Sequence, residues 1–306
     1  MRFSTRSFVV VSIAALAAAL ISGWLLSAPR PAFPFHSHAL RDTGDAERGR
    51  LIFIAGDCAS CHASPGQADP LRLGGGLALA SPYGTFRVPN ISSDPVDGIG
   101  TWSSDDLANA LLSGVSPSGN HYYPAFPYTS YAHMRAEDVR DLRAYLRSLP
   151  AVSGRAPPHE LALPFRFRRL VGLWKALYFE QSSIDDDSSH DVTWNRGRYL
   201  VESLTHCAEC HSARNIFGAV KPDSRYAGAV DPENVGYIPN ITPDRIGYWS
   251  IDDLVRMLST GDTPDHGRVG SSMTGVVTNT AQLPKSDREA IAVFIKSLPA
   301  LPTTKP

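Results

Sequence analysis

Residues 47–62 read ERGRLIFIAGDCASCH, and residues 195–211 read NRGRYLVESLTHCAECH. In both, Arg-Gly-Arg opens an apolar stretch. Two cysteines separated by two residues follow, with a histidine directly after the second. His62 and His211 stand 149 residues apart. Working outward, other landmarks keep nearly the same offset: Pro89-Asn90-Ile91 with Pro239-Asn240-Ile241, Trp102-Ser103 with Trp249-Ser250, and Ser148-Leu149-Pro150 with Ser297-Leu298-Pro299. A spacing held across so many landmarks marks an internal duplication. Each copy is about 105 residues, the size of a small domain.

Within each copy the pattern predicts helix, long loop, helix, loop, helix. The first helix is expected over Ala46–Ile54, or Trp194–Leu204 in the second copy. Ser103 and Ser250, each followed by acidic residues, read as N-caps of the second. The last is expected over Glu137–Leu149 and Lys285–Leu298. Val139, Leu142, Tyr145, Leu146 and Leu149 recur there at spacings of three and four. Strand alternation is nearly absent. The long loop carries Gly74-Gly75-Gly76 and several prolines, so it needs something other than regular structure to hold it.

Cys58-Ala59-Ser60-Cys61-His62 and Cys207-Ala208-Glu209-Cys210-His211 both have the C-x-x-C-H attachment pattern of c-type haem. The two motifs use all four cysteines of the chain. One helical turn sets both thiols against the porphyrin vinyl groups, and the adjacent histidine faces the iron. Zinc binding would need cysteine pairs 149 residues apart, unlike the compact spacing of structural zinc sites. A C-x-x-C redox disulfide leaves both histidines unexplained. The expected cofactors are therefore two covalently attached haem c groups, with His62 and His211 as iron ligands. A porphyrin also supplies the apolar centre that so loop-rich a unit lacks.

A sixth iron ligand is a separate question. The chain has four methionines: Met1, Met134, Met257 and Met273. Met273 lies in Gly-Ser-Ser-Met-Thr-Gly ahead of the last helix, where a distal methionine is expected. Met257 falls inside a helix and reads as core. In the first copy Met134 is the candidate, with a hydrophobic contact at the helix start as its plainer role. His121 and His133 are the other candidate ligands there, and an open site is the remaining alternative.

The N-terminus carries Arg2 and Arg6, then an uncharged stretch from Ser7 to Pro29. It is longer than a cleaved signal core and close to the ~20 residues that span a bilayer. No Ala-x-Ala site follows it. Residues 1–30 are therefore expected to be an uncleaved signal anchor, with the basic end in the cytoplasm. Between the copies, residues 151–193 form a linker. Its segment Pro164–Glu180 places Phe167, Leu170, Val171, Trp174 and Leu177 on one helical face, suited to packing the two domains together, with an interfacial membrane helix or a docking surface for a partner subunit as the alternatives. The whole chain of 306 residues balances 29 basic against 30 acidic residues, which excludes a basic field for nucleic acid. With 43% apolar residues it is not a disordered chain.

The two attachment motifs occur together with His121-Tyr122-Tyr123-Pro124-Ala125-Phe126-Pro127-Tyr128, the repeated Pro-Asn-Ile-(Ser/Thr), Gly-Ile-Gly-x-Trp at 98–102, and Asn195-Arg196-Gly197-Arg198-Tyr199-Leu200. In these the sequence resembles the cytochrome c subunits of membrane-bound bacterial dehydrogenases for alcohol, gluconate and related substrates, over residues 45–300. The resemblance implies a mainly α fold with two tandem class I cytochrome c-like domains, at 45–150 and 194–301, after an N-terminal transmembrane helix. It implies a periplasm-facing electron-transfer subunit on the bacterial cytoplasmic membrane. The implied partner is a catalytic dehydrogenase subunit of flavin, quinoprotein or molybdenum type. Quinone, another cytochrome or a terminal oxidase would be the acceptor. Family members commonly carry three haems; this sequence has two attachment motifs. The competing expectation is a dihaem enzyme such as a cytochrome c peroxidase, acting at the first haem with His121 and His133 nearby.

Overall fold

The computed structural model describes residues 5–231 and 236–304, with side chains from residue 9 onward. Arg2 and the side chain of Arg6, the basic flank of the expected anchor, lie outside the described residues. The helices in chain order are α1 Thr5–Leu26, α2 Ala46–Ala55, α3 Cys58–His62, α4 Ser104–Ser113, α5 Tyr128–Tyr131, α6 Ala136–Ser148, α7 Arg169–Tyr178 and α8 Val192–Tyr199. They continue as α9 Cys207–His211, α10 Pro243–Ile246, α11 Ile251–Thr260, α12 Met273–Thr280 and α13 Lys285–Ser297. The strands are β1 Ala78–Ser81, β2 Gly84–Arg87, β3 Glu160–Leu161, β4 Ala229–Val230 and β5 Tyr237–Ile238.

The first and last helices of each half cross in contact, and a glycine makes the crossing possible. A Cβ on Gly49 of α2 would stand 2.5 Å from the Asp141 carbonyl carbon and 2.9 Å from Tyr145 Cβ on α6. In the second half, a Cβ on Gly197 of α8 would stand 2.7 Å from the Ala290 carbonyl carbon and 2.9 Å from Phe294 Cβ on α13. Charge locks each crossing. Asp141 Oδ2 accepts from Arg48 Nε at 2.8 Å, and Asp141 Oδ1 accepts from the Asp45 amide at 2.7 Å. Arg196 grips Asp287 with two bonds of 2.9 and 2.8 Å. This planar fork holds direction as well as distance.

The middle helices start where the serines predict. Ser103 and Ser250 each form a full capping box, with Asp106 and Asp253 respectively. Gly114 and Gly261 close those helices at φ 57° and 81°, a left-handed conformation that disfavours other residues. The second-half opening helix departs from expectation. It runs regularly only to Tyr199 and then makes a π turn over Leu200–Leu204, in which the Thr205 amide bonds the Leu200 carbonyl at 2.8 Å. The Thr205 hydroxyl bonds the same oxygen at 3.0 Å, and that local competitor stabilises the wider turn.

The long loop of the first half is less irregular than its composition suggests. β1 and β2 form an antiparallel hairpin, and the linker supplies β3 to its free edge through Gly84↔Leu161 and Thr85↔Glu160. In the second half the corresponding loop holds the short β4–β5 pair. The halves also share one contiguous apolar core, from Ile52 and Phe53 through Tyr199 and Leu200 to Phe294 and Ile295. Tyr199 carries that continuity. It is 1% exposed, its hydroxyl accepts from the Arg135 amide at 3.0 Å, and it donates to Asp138 on α6.

Two features at the edges of the repeat complete the frame. Residues 33–42 form an arm clamped to α4. Asn109 bonds both the amide and carbonyl of Phe33, at 2.8 and 3.0 Å, and Asp105 accepts from the amides of Ala39 and Leu40, both at 2.8 Å. α1 stands apart from the core. Its stretch Val9–Leu26 has a mean hydropathy of 2.4, none of it is buried, and it is long and apolar enough to cross a membrane.

Candidate cofactor sites

Each C-x-x-C-H segment is a single helical turn entered through a left-handed residue, Asp57 at φ 50° and His206 at φ 40°. The turn puts the two cysteines on one side, three residues apart. Both histidines are then oriented alike. His62 Nδ1 lies 2.9 Å from the Pro89 carbonyl, and His211 Nδ1 lies 2.7 Å from the Pro239 carbonyl. A carbonyl oxygen can only accept, so Nδ1 carries the proton and the Nε2 lone pair is free to coordinate. This fixes tautomer and ring orientation as an outer-shell partner does for a metal-bound histidine. Burial pushes His62 down to about 4 and lowers His211 as well, against the opposing effect of the proline carbonyls. Both imidazoles are therefore held neutral, the form that binds a metal.

The repeated Pro-Asn-Ile motif gains its role here. Asn90 Nδ2 bonds the carbonyls of Val152 and Gly154 at 2.6 and 2.9 Å, and Asn240 Nδ2 bonds the Leu301 carbonyl at 2.8 Å. Each asparagine also accepts from the amide two residues on, at 2.8 Å in Ser92 and 2.7 Å in Thr242. The asparagine thus ties the proline carbonyl to the chain after the last helix of its half. The repeat marked these positions; the reason for them needed the structure.

Desolvation first, with the Asp57 charge second, pushes the Cys58 thiol up to about 12 and Cys61 to about 11. Desolvation likewise takes Cys207 to about 11 and raises Cys210. Among the described residues, no group of three or more His, Cys, Asp or Glu converges as a metal cage. Free cysteine pairs followed by neutral, Nδ1-bonded histidines fit a covalently held haem.

The two turns lie against each other through reciprocal contacts. From the second half, Asn279 on α12 donates to Asp57, and a Cβ on Gly275 would stand 2.9 Å from Ser60 Oγ. From the first half, Thr129 on α5 donates to Glu209 at 2.5 Å, with Ser130 reaching the same oxygen at 3.4 Å. Arg214 holds the other Glu209 oxygen at 2.6 Å. His206 Nε2 lies 3.2 Å from the Gly56 carbonyl and packs edge-on against Tyr131 at 5.8 Å. Thr129 and Ser130 correspond in the repeat to Thr278 and Asn279, and Ser60 to Glu209. The contact is thus pseudo-symmetric, and nothing in the linear sequence announces it.

The candidate sixth ligands lie in different settings. Met273 begins α12 and is half-buried. Met134 is 5% exposed within the core, ahead of α6, as Leu283 is at 3% ahead of α13. Met257 packs against the core from α11. His121 is buried with Nε2 2.9 Å from the Ser27 carbonyl, and His133 Nδ1 lies 2.7 Å from the Ser182 carbonyl. Both histidines are thus engaged with the N-terminal segment and the linker.

The sequence profile described as cytochrome c matches residues 46–150. A protein named diheme cytochrome c-type from Cereibacter sphaeroides is 49% identical over 262 residues, covering 85% of this chain and 88% of its own. A nicotinate dehydrogenase subunit of Pseudomonas putida is 42% identical over 84% of this chain, which matches 21% of that protein. The fructose dehydrogenase cytochrome subunit of Gluconobacter japonicus is 35% identical over 96% of this chain, which spans 60% of that subunit's length.

Proposed function

Because the chain belongs to the cytochrome c family, we propose that it carries two haem c groups and passes single electrons from a dehydrogenase partner into a membrane respiratory chain. The paired Nδ1 hydrogen bonds of His62 and His211 to equivalent proline carbonyls carry this reading, because they leave two equivalent Nε2 atoms that would be free to hold iron. Cys58 and Cys61 would hold one porphyrin by thioether bonds, and Cys207 and Cys210 the other. The domains would run over 45–150 and 194–301. Met273 is the sixth-ligand candidate in the second half and Met134 in the first. When bound, the haem iron supplies the one-electron redox chemistry.

The chain's own part is to hold that chemistry still. The proline carbonyls fix the imidazole planes. The Asn90 and Asn240 ties keep those carbonyls in place, and the shared core limits reorganisation on electron transfer. The contacts made by the two C-x-x-C turns hold the attachment segments together, and would keep a group bound at each at a fixed separation. α1 would anchor the chain in the cytoplasmic membrane, with the rest of the protein on the periplasmic side. The dehydrogenase partner draws support from relatives that are themselves named as dehydrogenase subunits.

A pyridine haemochrome assay on protein purified from its native membranes should give two haems per chain, and one after Cys58→Ala with Cys61→Ala. Met273→Ala should lower the potential of one haem and let its reduced iron bind carbon monoxide. A full haem complement in the double cysteine variant would refute the attachment sites. An unchanged spectrum and potential in Met273→Ala would remove it as a ligand.

A further inference from the structure

We propose that α7 lies flat in the lipid headgroup region, giving the protein a second seat on the bilayer beside α1; this rests on the reading of α1 as a membrane span. Part of the apolar face of the linker helix does turn inward between the halves, where Trp174 Nε1 donates to the Phe217 carbonyl at 2.9 Å. Val171 is buried, the backbone of Ser27 lies so close to Gly172 that a Cβ there would stand 2.7 Å from the Ser27 carbonyl carbon, and Lys175 donates to the carbonyls of Ser113 and Gly114 at 2.6 and 2.8 Å. These contacts stop the helix from rolling. Phe167, Leu170 and Leu177, on the remaining face, are left 61%, 42% and 74% exposed, and Leu163 and Phe165 extend the patch at 69% and 40%.

The position of α1 selects the occupant of this face. Arg169 in the first turn of α7 donates to the Trp24 carbonyl at 2.7 Å, and its guanidinium lies 4.0 Å from the centre of the Trp24 ring. Ser27 is held again by His121. The last turn of α1 is therefore fastened to the first turn of α7. A tryptophan at the end of a span sits at headgroup level. Whatever depth Trp24 takes, Arg169 shares it, and the exposed face of α7 begins there. Charge agrees with this placement. Residues 161–179, between Glu160 and Glu180, hold Arg166, Arg168 and Arg169 besides the inward Lys175 and no acidic residue, which suits an anionic lipid surface.

Photo-crosslinking tests this with the full-length protein in vesicles of phosphatidylethanolamine and phosphatidylglycerol. A benzoylphenylalanine replaces, one at a time, Phe167, Leu177, Leu16 in α1, or Val192, which is 81% exposed away from the patch. Lipid adducts at 167 and 177 should match those at 16 and exceed those at 192 several-fold. Lipid adducts at 16 with none at 167 or 177 would overturn the seat while leaving the anchor standing. Crosslinks from 167 or 177 to a second polypeptide would overturn it in favour of a protein interface. Absence of adducts at 16 would remove the anchor and the seat together.

Discussion

Replacing Gly49 or Gly197 by alanine tests whether each half is organised by a glycine-dependent helix crossing. In an isolated helix the change should help, because alanine is favoured over glycine by up to about 1 kcal/mol. At these two positions the added methyl would lie 2.5 and 2.7 Å from a backbone carbonyl carbon of the partner helix. Comfortable carbon–carbon contact begins near ~3.5 Å, so the helices must part by about 1 Å along their line of contact. The obstacle is backbone, which cannot turn aside as a side chain would. Overpacking of this kind costs about 1–3 kcal/mol. At about 2 kcal/mol the melting temperature should fall by about 4–8 °C for a protein of this size. Thermal unfolding of the holoprotein, followed by far-UV circular dichroism, reads this directly. Each single variant should fall, and the double variant adds a second question. Independent halves would give additive losses to within about 0.5 kcal/mol, whereas the shared core through Tyr199 predicts coupling beyond that. A melting temperature unchanged or raised in both single variants would refute the crossing as the organising contact.

Glu209→Gln removes a carboxylate that is bound by Arg214 and Thr129 with its side chain 12% exposed. Breaking a fully buried pair costs about 3–5 kcal/mol, and the solvent access of Arg214 reduces this to about 2 kcal/mol. Thermal melting should show a fall of several degrees, and an unchanged value would mean that the inter-half contact carries no stability. Asp105→Ala should release the arm at residues 37–40 while the core stays folded. Three lost charge-assisted bonds, from Ser37 and the amides of Ala39 and Leu40, of about 1–1.5 kcal/mol each would raise local opening by more than about a hundredfold in hydrogen exchange. Unchanged protection at Ala39 and Leu40 would refute this. The same attachment depends on pH. Desolvation raises the Asp105 pKa, but bonds from Ser37, Leu40 and Ala39 outweigh it and hold the group below its usual value. The stabilisation is therefore complete above the ordinary carboxylate range, and it is lost as pH falls through the depressed pKa. Exchange at the arm should accelerate only in acid.

What the sequence revealed were the features whose physics is local. A capping serine and the acidic residue three places on decide a helix start among themselves, so Ser103 and Ser250 could be placed without the rest of the chain. The attachment turns were equally legible, because one turn of helix fixes cysteine and histidine together. The departures come from contacts made across the chain. β3 exists because the linker returns to the open edge of β1–β2, and two residues near 160 carry no strand signal of their own. The π turn at 200–204 depends on a threonine hydroxyl competing for one carbonyl. The apolar face of α7 divides, with Val171 and Trp174 turned inward and Phe167, Leu170 and Leu177 outward, because amphipathicity shows that a face is apolar, not what covers it.

The reciprocal contacts between the C-x-x-C-H turns bear on how the two turns keep their register. The 43-residue connection, 151–193, is tied to the first half through β3 and α7 and does not by itself set their separation. The burden falls on Asp57, Asn279, Glu209, Thr129 and Arg214, all polar and all at the contact between the halves. Polar pairs withdrawn from water add little net stability, since desolvation offsets most of their attraction. They do penalise any rearrangement that leaves one partner alone, and that makes an orientation specific. An apolar contact of the same area would tolerate sliding. For the proposed electron-transfer role such specificity would matter more than added stability, and it would leave the linker free for the membrane seat proposed above.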